Sequence, residues 1–187
     1  MGYGNQDARA FDAEPVGRNP LHPSGERRLG GAMMGARPRV LVSLCLLGAA
    51  CRYDGKGNQV DLRELMARAE LIPLCPEQLG GLPTPRVPAE RRGDRVVTRD
   101  GRDVTGAFER GAKQAAMLAE RFGIGYALMK ARSPSCGFGV IYDGTFTGRL
   151  TVGMGVTAMA LYHAGIQIFD EAHIDELIRA LDAERME

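Results

Sequence analysis

The sequence predicts a single α/β domain with a mainly parallel sheet and helices on both faces, a Rossmann-like three-layer arrangement. Three observations predict it. Short apolar, β-branched runs recur along the chain, amphipathic helical patterns lie between them, and each run stops at Gly, Pro or polar sequence. Strands alternating with helices are the signature of βαβ units, whose crossovers place helices on both faces of a parallel sheet. A length of 187 residues suits one domain, and 44% hydrophobic with 25% charged residues is a globular composition.

Residues 1–36 carry scattered Gly, Pro and Arg with no apolar period of 2 or 3.6, so they are expected to be a disordered or non-native leader ahead of a domain over 37–187. Arg27 and Arg28 precede no apolar export segment, and Met33 or Met34 is the candidate true start. The first strand is expected over 39–45, where Cys45 closes it, and Leu62, Leu65, Met66 and Ala69 share one face of the helix that follows. A second strand runs over 71–75, although Pro73 counts against an uninterrupted central strand. Residues 76–102 are too long and too rich in Pro and Gly for a simple connector, and are expected to fold over with a small hairpin around Val96 and Val97. Val104, Phe108, Ala112, Ala115, Ala119 and Phe122 form the stripe of a long helix, with Asp103 or Thr105 as cap and Gly123 as stop. A third strand over 124–130 ends in proline-containing polar sequence, and Tyr142-Asp143-Gly144 reads as a hairpin turn. A helix over 156–163, a fourth strand over 166–169 and a last helix through Ile174, Leu177, Ile178 and Leu181 complete the chain.

Twenty-four basic residues against twenty-three acidic ones leave a formal charge of +1. That balance offers no footprint for a phosphate backbone or an anionic membrane, which argues against general nucleic-acid binding. No apolar stretch reaches the roughly 18 residues of a membrane span, and no secretory signal opens the chain, so a cytoplasmic protein with no membrane partner is expected. Four cysteines are too few for a disulfide scaffold and would stay reduced in a cytosol, as core residues, metal ligands or nucleophiles. Three histidines argue against a His-rich metal site and leave iron or zinc bound through sulfur open.

Ligands of an open parallel sheet bind outside the carboxyl ends of its strands. Cys45 and Cys75 close the first two strands and Cys136 lies in the loop after the third, so three thiols meet on one sheet edge; the plainer reading makes Cys45 and Cys75 buried strand residues. Their neighbours are polar. Cys75-Pro-Glu77 sets a carboxylate two residues past a thiol, Ser133-Pro-Ser-Cys136-Gly137 sets two hydroxyls beside another, and Lys130 and Arg132 precede it. Such a group suits a soft metal with an acid/base residue and cationic or hydroxyl donors around it. Asp54, in Tyr53-Asp54-Gly55, either caps a turn or points into the site. Gly153-Met-Gly155 at a helix start either presents N–H groups to an anion or permits close packing.

The ordered motifs Cys45-Leu-Leu-Gly48, Arg52-Tyr-Asp-Gly55, Cys75-Pro-Glu77, Gly81-Leu-Pro-Thr-Pro-Arg86, Asp103-Val-Thr105, Lys130-Ala-Arg-Ser-Pro-Ser-Cys-Gly137, Ile141-Tyr-Asp-Gly-Thr-Phe146 and Gly153-Met-Gly-Val-Thr-Ala158 resemble the DUF 523 family, over about residues 39–171. Characterised members of that family are 2-thiouracil desulfurases. The resemblance implies a [4Fe-4S] cluster held by Cys45, Cys75 and Cys136, with the fourth iron open to the sulfur of a thiolated pyrimidine base, nucleoside or nucleotide. In that reading water attacks the polarised carbon, Glu77 is the candidate general base, and Lys130 and Ser133 orient the ring or the developing charge. Cys51 is expected to approach the site without ligating, because a fourth thiolate would close the cluster. The rival readings are a non-catalytic module with zinc or a closed cluster, and cluster-free chemistry at Cys136; no histidine in the cysteine loops would activate the latter.

Overall fold

In the computed structural model residues 37–185 are described, and the expectation for residues 1–36 lies outside them. The elements are β1 (Arg39–Ser43), a single 3-10 turn (Leu44–Leu47), α1 (Arg63–Arg68), β2 (Glu70–Leu74), α2 (Pro76–Leu79), β3 (Ala89–Arg92), β4 (Arg95–Thr98), α3 (Thr105–Arg121), β5 (Tyr126–Met129), β6 (Val140–Tyr142), β7 (Leu150–Val152), α4 (Val156–His163), β8 (Gln167–Asp170) and α5 (Ile174–Glu184).

Four strands form one wholly parallel sheet in the order β2-β1-β5-β8, while β3-β4 and β6-β7 are separate antiparallel hairpins. Strand order reverses between β1 and β5, the position where open α/β sheets bind ligands. Both sheet faces are covered, so β1 and β5 are continuous apolar runs rather than alternating ones. Val40, Val42, Tyr126 and Leu128 pack with Leu65, Leu177, Ile178 and Leu181 on the α1/α5 side. Leu41, Ala127 and Met129 pack with Ala115, Ala119, Ala158 and Leu161 on the α3/α4 side. Among the described residues no helix is long and apolar enough to cross a membrane.

Several expectations are corrected. Cys45 does not close β1, which stops at Ser43; the N–H groups of Gly48 and Asn58 both donate to the Cys45 carbonyl and take it out of the sheet ladder. Pro73 agrees with its reading: it lies in β2, which is an edge strand and not a central one, where a missing N–H costs no ladder bond on the open side. Met66 is 51% exposed and Phe122 41% exposed, so neither belongs to its predicted buried face. Phe122 instead lies under the Arg39 guanidinium, 5.7 Å from its ring centre. Asp103 and Thr105 act jointly: Val104 holds the cap position of α3, and Asp103 Oδ1 accepts from both the N–H and the hydroxyl of Thr105. Gly123 ends that helix at φ +61°, a conformation open to glycine.

Candidate active site

Each of three cysteines leaves the sheet in its own way. Cys45 sits in the 3-10 turn after β1, and Cys75 directly precedes α2, whose first residue Pro76 is pre-set for a helix start. Two glycines fix α2 against α3: a Cβ on Gly111 would stand 1.9 Å from the Pro76 carbonyl oxygen, and one on Gly80 2.0 Å from that of Ala107. Cys136 follows β5 in a loop braced from two sides. Ser133 Oγ accepts the N–H groups of Ser135 and Cys136, both at 3.0 Å. From beyond, the free N–H groups at the start of α4 donate to the carbonyls of the same loop, Val156 to Pro134 and Thr157 to Ser135, while Gly155 donates to Gly137. A Cβ on Gly155 would lie 2.3 Å from the Ser135 carbonyl oxygen. The Gly153-Met-Gly155 motif therefore serves close packing, and this helix start holds the cysteine loop rather than an anion.

A cleft of about 1980 Å³ is lined by Cys45, Cys51, Cys75 and Cys136 together with Glu77, Arg86, Lys130 and Ser133. Asp54 is not among its lining residues; it accepts the Lys56 N–H and lies 3.4 Å from Arg52. The thiols feel one another. Burial first, then Cys75, raises the Cys45 thiol above its ordinary range, with Lys130 and Arg52 opposing. Burial, then Cys75 and Cys45, pushes Cys51 up to about 12. Burial also raises Cys136 strongly, against a hydrogen bond from Ser43, with Glu77, Cys45 and Cys75 adding to the rise. Three thiols in this state ionise together only when a cation compensates them.

Glu77 forms an ion pair with Arg86 through Oε2 at 2.7 Å, with side-chain exposures of 16% and 7%. Burial raises the Glu77 carboxyl and Arg86 pulls it back down. Glu77 Oε1 has no hydrogen-bond partner among the described residues and is not fully buried, so it is unpaired at the cleft. Lys130 Nζ is held by Glu171 Oε1 and the Ala131 carbonyl, and Glu171 Oε2 accepts the Ala131 N–H. Ser43 Oγ accepts the Lys130 N–H at 2.9 Å.

Arg86, Ser43, Glu171, Glu90, Arg99 and Phe146 are among the cleft residues to which the sequence pattern assigns no role. Arg86 had a visible signal, since it ends the Gly81-Leu-Pro-Thr-Pro motif. Glu171 had a weaker one, standing directly after the fourth strand.

Fold and cleft together define a doubly wound α/β protein whose switch point is lined with thiols. More specifically, the chain belongs to the 2-thiouracil desulfurase family, whose sequence profile matches residues 40–173. YbbK of Bacillus subtilis (strain 168), described as uncharacterized, is 37% identical over 150 residues, covering 74% of this chain and 99% of its own. A solved structure described as a [4Fe-4S]-dependent thiouracil desulfidase, TudS, is 46% identical with a TM-score of 0.75, covering 79% of this chain and 99% of that one.

Proposed function

We propose that the chain is a [4Fe-4S]-dependent desulfurase that exchanges the sulfur of a thiolated pyrimidine for the oxygen of water and releases sulfide. The observation that carries this reading is the meeting of Cys45, Cys75 and Cys136, from the ends of three adjacent parallel strands, in one cleft. These three are the proposed ligands, and Cys51 the proposed bystander. The donor set suits the group, because cysteine thiolates are soft donors of the kind that iron clusters take. Among the described residues, no three His, Cys, Asp or Glu side chains form a group that could hold a single metal ion. A [4Fe-4S] cluster held by three cysteines keeps one iron open, whereas structural zinc takes four donors. The family match supports the catalytic reading over a zinc-binding module. A cytoplasmic setting, where thiols stay reduced, suits the same ligands.

When bound, the cluster supplies a soft Lewis-acid iron for the thiocarbonyl sulfur. The chain's own residues handle the proton and the orientation. Glu77 accepts the proton of the attacking water at its open Oε1, while Arg86 keeps Oε2 fixed. Ser133 uses its lone pairs on two backbone N–H groups, which leaves its hydroxyl proton to donate to the ring. Lys130, neutralised by Glu171, orients the ring through a remaining N–H. Asp54 is left to its turn. The test is to count iron and acid-labile sulfide in anaerobically purified protein and to measure sulfide released from 2-thiouracil. Four of each per chain with turnover is the expected result, and zinc or metal-free protein without turnover would sink the reading.

A further inference from the structure

Residues of both hairpins line the cleft that the cysteines share, and one buried carboxylate joins the two hairpins. Glu90, on β3, is 9% exposed, and its Oε2 accepts the N–H groups of Gly144 at 3.0 Å and Phe146 at 2.9 Å from the β6–β7 turn. Arg92 adds a bond from Nη2 to the Gly144 carbonyl. This clamp holds Phe146 at φ +59°, a left-handed conformation that is strained for a side chain of this size and that glycine adopts freely. Strain of this kind persists only where surrounding structure imposes it, and it gathers at binding sites.

The ring does not serve the core. Phe146 belongs to neither apolar cluster, whereas Phe138, Tyr162 and Phe169, which line the same cleft, each pack against one of them. It is half-buried in the cleft wall, and the guanidinium of Arg99, also a cleft residue, lies 5.7 Å from its ring centre. Arg99 makes no ion pair among the described residues. A ring that lines the cleft with a cation over one face suits a flat, polarisable ligand.

The geometry points to Phe146, braced by Glu90 and backed by Arg99, as the stacking platform that selects a planar heteroaromatic ring in this cleft. Which ring it is rests on the desulfurase reading above; that a flat ring is taken there rests on the wall alone. Stacking of a base on an aromatic side chain is commonly strong enough that its loss weakens binding about ten-fold.

Three variants of the cluster-bearing protein test this. Phe146→Gly removes the ring while relieving the backbone, so iron content should hold and thermal stability should not fall, yet KM for 2-thiouracil should rise about ten-fold with a much smaller change in kcat. Phe146→Tyr, which keeps a stacking ring, should hold KM well below that of Phe146→Gly. The chain contains no tryptophan, so Phe146→Trp introduces a lone indole whose fluorescence should be quenched on titration with 2-thiouracil and with uracil. An unchanged KM in Phe146→Gly, or a lowered melting temperature with unchanged KM, would overturn the assignment, as would an indole blind to both pyrimidines. Natural protein without cluster or sulfide release would sink the desulfurase reading instead, and the uracil titration would still decide whether the wall takes a planar ring.

Discussion

Arg86 ties Glu77 to the loop that carries Cys51: its Nε donates to Glu77 Oε2 at 2.7 Å, and both terminal nitrogens donate to the Cys51 carbonyl at 3.1 Å. One guanidinium thus joins the segment after β1 to the segment after β2, on the face where the thiols meet. It leaves one carboxylate oxygen held and the other open. A held oxygen beside an unpaired one suits the general-base role proposed for Glu77.

Glu77→Gln keeps the size and hydrogen bonding of the side chain but cannot accept a proton from water. Cluster content should be full, and turnover of 2-thiouracil should fall by about 100-fold to 10,000-fold. Iron content measured beside kcat checks this. Near-normal turnover would place the base elsewhere, and a missing cluster would make Glu77 a support for Cys75.

Arg86→Ala leaves a buried carboxylate without its cation and the Cys51 carbonyl without its donors. Breaking a buried pair from one side costs about 3–5 kcal/mol, and the residual exposure of Glu77 favours the low end. At about 3 kcal/mol the melting temperature should drop by roughly 10 °C. Arg86→Lys, which keeps the charge but not the planar fork, should fall between the two. A thermal melt unchanged in Arg86→Ala would show the pair to be energetically idle.

Serine is a poor substitute for thiolate on iron, so Cys45→Ser, Cys75→Ser and Cys136→Ser should each lose most of the cluster. Cys51→Ser should retain it, since Cys51 is held through its backbone carbonyl, which accepts from Cys75 Sγ and from Arg86 and which serine keeps. Visible absorption and iron content of the four variants decide the ligand set, and loss in Cys51→Ser equal to the others would exclude an open iron.

The gathering of the thiols was legible in the sequence because strand ends announce themselves through Gly, Pro and a change of period; Cys45 and Cys75 stand within two residues of such an end and Cys136 in the loop that follows another. The roles around them were not. Glu90 lies in the run Ala89-Glu-Arg-Arg92 and reads as a solvated charge; it is buried because two N–H groups 54 and 56 residues onward come to its carboxylate. Lys130 and Glu171 are 41 residues apart, and their pairing depends on β5 and β8 ending side by side. Asp54 offered two readings at the sequence level, because a turn-capping and a site-facing carboxylate share one local pattern.

The support of Cys75 by α3 is testable through two glycines of that helix. Gly106 is exposed, and the nearest atom to an added Cβ is Arg110 Nη1 at 3.6 Å, which is ordinary contact. Gly106→Ala should therefore stabilise the protein by about 0.5–1 kcal/mol, the usual gain when alanine replaces glycine inside a helix. Gly111 lies on the same helix with the same intrinsic preference, but its Cβ would stand 1.9 Å from the Pro76 carbonyl oxygen. Backbone cannot yield there as a flexible side chain could, so α2 has to move away from α3. Overpacking of this kind costs about 1–3 kcal/mol, enough to reverse the propensity gain. Because Pro76 directly follows Cys75, the displacement reaches the proposed ligand, and Gly111→Ala should lose cluster as well as stability while Gly106→Ala loses neither. Melting temperature and iron content of the two variants, measured together, check both statements; equal behaviour of the pair would mean that the α2–α3 contact does not position Cys75.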